Sequence, residues 1–259
     1  AQLAQKRGLD LVGIGVPMFF GVVFSILETL GQFPESASVF GYSSFVPFYF
    51  FTYAQTILIA FIAGNFRAAD KQAQVVEVIA ARPLSTAELV VGKYIGVVQA
   101  MASLSLLVAL LPIAIQPAKL SIVGAPFILT PYLYYFFLMM LPALIFMSAL
   151  TFSLGVILHN RTAVALVSIA YILAVLLFLG TRYGGIFDFG AFFAPLFYSD
   201  MLGIGDISRL IEIRYFYLSL ALGLLGLAVA RYPRLPQPGM WSRVGHVAAL
   251  AGFAGAVGM

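Results

Sequence analysis

Apolar residues lie along this chain in long blocks separated by short polar stretches. A helix needs about 20 residues to cross about 30 Å of hydrocarbon, and six blocks are long enough: residues 11–30, 45–66, 94–115, 132–158, 162–180 and 215–230. Lipid offers backbone amides no partner, so such blocks are expected to be helices. The pattern predicts an all-α membrane protein, a bundle of six transmembrane helices covering residues 1–232. The first block is too long for a signal-peptide core and lacks a small-x-small cleavage site, so it is read as retained.

A further apolar stretch, 244–259, follows the proline-rich connector 233–239 and carries Gly245, Gly252, Gly255 and Gly258 at a spacing that permits close helix packing. It would rise only about 24 Å as a helix, and the run stops abruptly, while the chain begins without methionine. We therefore expect residues 233–259 to be a connector and the start of another span, in a piece of a longer membrane protein.

Composition strengthens the class. Hydrophobic residues make up 62% of the 259 and charged residues 9%, far below the roughly 25% charged of soluble domains. Mean hydropathy is +1.03. With no cysteine there is no disulfide, thiolate metal site or thiol nucleophile. The net charge of +4 is scattered over loops and implies no nucleic-acid partner. Its placement is informative, because cytoplasmic loops collect lysine and arginine. With the N-terminus inside, ten of the 14 basic residues fall on the cytoplasmic side, and Lys119, Arg182, Arg209 and Arg214 fall outside. Glu35, Asp188, Asp200, Asp206 and Glu212 lean outward.

The most structured polar stretch is 65–96. Arg67, Asp70, Lys71, Gln74 and Glu77 recur three or four apart, as on one face of a helix, and Ala69, Ala73, Val76 and Ala80 line another. Arg82 precedes Pro83, which disfavours helix at that point. Ser85-Thr-Ala-Glu88 then has the form of a capping box, so a second helix is predicted to start at Thr86 and run through Gly92 and Lys93 into the third span. On local physics alone, the first helix could equally lie on the membrane surface among anionic head groups.

The charged cluster, the interval from Glu77 to Pro83, the serine turn and the Gly92-Lys93 pair together resemble the permease subunits of ABC-2-type transporters. The stretch 197–231, with Gly203 and Asp206, an aromatic entry at Tyr215 and Phe216 and a closing arginine, is similar to that family's last outer loop and sixth span. The resemblance covers the chain to about Ala230. It implies a cytoplasmic ABC ATPase subunit as partner, a second permease copy or homologous half, and a place in a bacterial-type inner membrane. It also implies that Asp70, Glu77, Arg82, Pro83, Ser85, Glu88 and Lys93 transmit the closure of the ATPase. After Arg231 the chain departs from single-unit members by entering another apolar run.

Other motifs carry less. Gly203-Ile204-Gly205-Asp206 matches an intramembrane aspartyl protease signature, but its chemistry needs two facing carboxylates within the membrane, and Asp200 lies in the same loop. His159 and His246 are isolated and make no metal site. Asn160-Arg161-Thr162 is a sequon on the predicted cytoplasmic side. No phosphate-binding loop is present, so ATP hydrolysis falls to a partner and the chain is expected to need no cofactor. Glu28 is the one carboxylate within a predicted span; it reads as an interface residue and as a pathway candidate. Tyr132, Tyr134, Tyr135, Phe136 and Phe137 form an expected interfacial belt. Phe187, Phe189, Phe192, Phe193, Phe197 and Tyr198 make an outer loop expected to lie in the head-group region as short helices or against a partner. The expected function is a permease moving an amphipathic substrate or doing mechanical work. The alternative is a non-transporting anchor of a larger membrane complex, and a membrane-embedded enzyme lacks an acid–base pair.

Overall fold

The computed structural model describes residues 42–63, 85–123, 129–158, 160–183, 186–191, 193, 198–199, 203–204, 207–232 and 240–258. They form six helices: α1 (Tyr42–Ala63), α2 (Thr86–Val123), α3 (130–158), α4 (Arg161–Arg182), α5 (Ser208–Arg231) and α6 (Met240–Val257). Stretches of α2, α3, α4 and α5 are long and apolar enough to cross a membrane; the apolar parts of α1 and α6, Phe51–Ala63 and Val244–Val257, are shorter. The fold is therefore an all-helical bundle of membrane-protein composition. The predicted span 11–30, with Glu28, and the predicted helix from Arg67 to Arg82 lie outside the described residues. Between α4 and α5 a two-residue antiparallel pair joins β1 (Tyr198–Ser199) to β2 (Gly203–Ile204).

α3 sits at the centre and packs against α1, α2, α4 and α5. Its middle is sealed: Leu144, Met147, Ala149 and Phe152 have no exposed surface. The helix widens into a π turn at Tyr135–Met140, where the Leu141 amide bonds the Phe136 carbonyl. Pro142 follows immediately and cannot donate to the ladder, which is a local cause for the altered winding. α4 has a second π turn at Val175–Leu179, ending at Gly180, against which the Phe193 ring lies. Its other end is capped by Asn160, whose side chain accepts from the Thr162 amide at 3.0 Å.

Polar side chains tie the apolar helices together. Tyr135 and Thr52 bond at 2.6 Å between α3 and α1. Gln55 of α1 donates to the Met101 carbonyl at 3.3 Å and accepts from Ser105 of α2 at 2.6 Å. Tyr94 of α2 donates to the Ile145 carbonyl of α3 at 3.0 Å. The belt expectation is thus corrected at Tyr135, which is buried and bonded inward, while Phe137 stays exposed. Between α5 and α6 the backbones themselves touch. A Cβ on Gly252 would come within 2.2 Å of the Gly223 nitrogen, and one on Gly226 within 2.5 Å of the Ala249 nitrogen. Small residues permit this approach in lipid, where helix association relies on close packing.

Candidate functional site

Besides the bonds that tie α1 to α2 and α3, two places among the described residues gather polar groups. The first is the start of α2. Ser85 accepts from the Glu88 amide at 3.1 Å, and the Glu88 carboxylate accepts from the Ser85 amide at 2.7 Å. Two amides of the first turn, which have no partner within the helix, are satisfied reciprocally. Ser85 is buried and Glu88 exposed. The Leu89 amide bonds the Ser85 carbonyl at 3.1 Å, so the helix begins at the cap. From there α2 continues for 38 residues, about 57 Å. Lys93 lies just over a turn beyond Glu88 and is half-buried. Of the residues expected to act together, the structure brings Ser85 and Glu88 into contact; Asp70, Glu77, Arg82 and Pro83 lie outside the described residues. Gly92 and Gly96 present open space, with nothing within 4 Å of an added Cβ.

The second place was not foreseen. The segment 186–191 is not helical and folds inward, so that Phe189 is fully buried against Tyr53, Phe146 and Tyr171, with ring centroids 5.1, 6.0 and 5.8 Å away. Tyr53 and Tyr171 lie about midway along α1 and α4, so the loop reaches deep into the bundle. The expectation of a loop in the head-group region is corrected at Phe189; Phe187 stays exposed, and Phe192 and Phe197 lie outside the described residues. Non-helical backbone at such depth is tolerated only when protein satisfies it, and it is satisfied by side chains. The Asp188 carboxylate accepts from the Gly190 amide at 3.1 Å, the Phe193 amide at 2.6 Å and the Tyr53 hydroxyl at 2.6 Å. Tyr217 donates to the Ile186 carbonyl at 2.9 Å, and Arg214 donates to the Phe189 carbonyl. Gly190 permits the approach, since a Cβ there would lie 2.7 Å from the Tyr53 ring.

The charge of Arg214 suggests a place in the loop before the apolar block 215–230. The residue belongs instead to α5, about two turns in, and only 3% of it is exposed. Its charge is attracted to Asp188, yet its Nε and Nη2 atoms are buried without an acceptor. A signal was present in the sequence: the stretch Ile186-Phe187-Asp188-Phe189-Gly190 is too apolar to stay in water and carries one carboxylate to organise it.

A third feature is a groove of about 550 Å³ between α2, α3 and α5, lined by Tyr94, Val98, Gln99, Ile145, Leu218 and Leu222 among others and almost wholly apolar. No family model, curated protein or solved structure matches this chain.

Proposed function

We propose that this chain is the transmembrane permease subunit of an ABC-2-type transporter, coupling ATP hydrolysis by a separate cytoplasmic ATPase to movement of an amphipathic substrate. On this reading the bundle has six spans and a coupling helix at 67–82. The N-terminus and the Ser85 end of α2 face the cytoplasm of a bacterial-type inner membrane, and the 186–191 loop opens to the other side. The ATPase closes beneath Asp70–Lys93, and a second permease copy or homologous half completes the path.

The observation that carries the reading is the reciprocal Ser85–Glu88 cap opening a single helix that runs through Val123. A cap fixes where a helix begins, and the stretch Thr86–Leu107, which precedes Pro112 and Pro117 and carries no proline itself, can move as a rod. α2 is bonded to α3 through Tyr94 and to α1 through Ser105 and Gln55, so a push delivered at Ser85 reaches two other helices. The Glu77-to-Pro83 interval preceding the cap supports the same assignment.

The test is affinity purification of the tagged chain from its native membrane, followed by ATP hydrolysis in liposomes. A co-purifying subunit with a phosphate-binding loop, whose hydrolysis depends on this chain, is expected. Purification with a redox or structural partner and no ATPase would instead favour a membrane anchor and end the permease reading.

A further inference from the structure

The inserted segment is held in ways that resemble the binding of a guest. Phe189 fills a box walled by Tyr53, Phe146 and Tyr171, side chains from three helices that the segment does not belong to. Its carbonyl is taken by Arg214, and the neighbouring Asp188 carboxylate is taken by Tyr53 and attracted by Arg214. The receiving side chains thus combine an aromatic cavity with hydrogen-bond donors and a positive charge. They are not used up by the loop: the Nε and Nη2 atoms of Arg214, almost fully buried, still lack acceptors. A buried guanidinium with unmet donors is unfavourable unless an acceptor reaches it. The segment itself is strained, with Ala191 at φ 59°, a conformation that non-glycine residues seldom adopt. An insert that is strained and leaves its receptor unsatisfied can be displaced by a better ligand.

We propose that segment 186–191 is the built-in occupant of a binding site for an amphipathic anion, an apolar chain or ring bearing a carboxylate or phosphate group. Phe189 stands where the apolar part lies. The Asp188 carboxylate and the Phe189 carbonyl stand where the oxygens of the anion lie. Arg214 is the residue that reads the charge, because its Nε and Nη2 offer positively charged donors beyond the one the loop engages. Ligand entry and loop exit are then one exchange. If the chain is a permease, this names the class of its substrate; the site itself rests on the loop geometry and needs no ATPase.

The experiment uses the full chain in neutral-detergent micelles. Native cysteine is absent, so Ala191→Cys, at a position 1% exposed, reports loop exit through its rate of reaction with a water-soluble maleimide. Dodecyl phosphate and dodecanoate are expected to speed the reaction about tenfold, as a ligand selecting the loop-out state should. Inorganic phosphate and dodecanol are expected to leave it unchanged. Equal acceleration by dodecanol, acceleration by phosphate alone, or no response to either amphiphilic anion overturns the proposal. Retention of radiolabelled dodecyl phosphate gives a second reading. Arg214→Gln should abolish binding. Phe189→Ala should tighten it about tenfold, because apparent affinity rises with the fraction of empty sites. A purely structural loop predicts the opposite for Phe189→Ala, and weaker or unchanged binding there refutes the site even if Arg214→Gln fails to fold.

Discussion

Removing the cap of α2 offers a sharp check on how that helix works. Ser85 and Glu88 exchange two hydrogen bonds, of 3.1 and 2.7 Å. Replacing an N-cap serine by alanine costs about 1 kcal/mol. Glu88→Ala removes the return bond to the Ser85 amide, and at an exposed carboxylate this contributes roughly 0.5–1 kcal/mol. The two bonds share one turn, so the losses overlap, and the double variant should lose about 1.5 kcal/mol. Since about 1.4 kcal/mol is a factor of ten, the first turn of α2 should be open about ten times more often while the bundle stays intact. The bundle is spared because Tyr94 and Ser105, which anchor α2, lie well beyond that turn. Hydrogen exchange at the amides of Glu88 and Leu89, both bonded to Ser85, reads the opening, and, on the proposed permease reading, substrate-dependent ATP hydrolysis of the complex it implies reads the coupling. Exchange about tenfold faster, together with lost coupling and normal assembly, is expected. Unchanged exchange would refute the energetic argument. Faster exchange with undiminished hydrolysis would show that the start of α2 carries no push.

Three further outcomes follow from particular residues. Gly252→Leu should force α5 and α6 apart and lower the detergent melting temperature, whereas Gly92→Ala, into open space, should be neutral or stabilise by up to about 1 kcal/mol; similar melting of the two variants would contradict the backbone contact. Asp188→Asn should destabilise by about 1–3 kcal/mol, because an amide turns one face of donors toward the donors that Asp188 accepts; an unchanged melting temperature would remove the carboxylate from its organising role. For orientation, Ser38→Cys should react with an impermeant thiol reagent in intact cells and Gln72→Cys should not, and the reverse pattern would invert the topology.

What could be read in advance was local. The apolar blocks within the described residues became helices because lipid-facing helices need continuous apolar sequence, and the block 132–158 matches a spanning stretch of α3 residue for residue. The Ser85–Glu88 cap was legible because its partners are three residues apart. The inserted loop was not, because its key bond joins Tyr53 to Asp188 across 135 residues. Arg214 misled for a related reason. A charge suggests the end of an apolar block, whereas the helix begins earlier, at Ser208, and buries that charge against the Phe189 carbonyl. Tyr135 shows the same limit: an aromatic run suggests a belt, and only the position of Thr52 decides which ring turns inward.

The contact between α5 and α6 bears on how the chain enters a membrane. Gly245, Gly252 and Gly255 of α6 contribute no apolar side chain, whereas α5 is long and apolar enough to cross a membrane. With Gly223 and Gly226 pressed against α6, α5 can hold its glycine-rich neighbour at a depth that the neighbour's own hydropathy would not secure. The two would then leave the insertion machinery as a hairpin, with α6 committed only after α5 is in place. A bulky residue at position 252 should therefore show itself first during synthesis, as chains in which α6 has slipped from the bilayer and become open to protease.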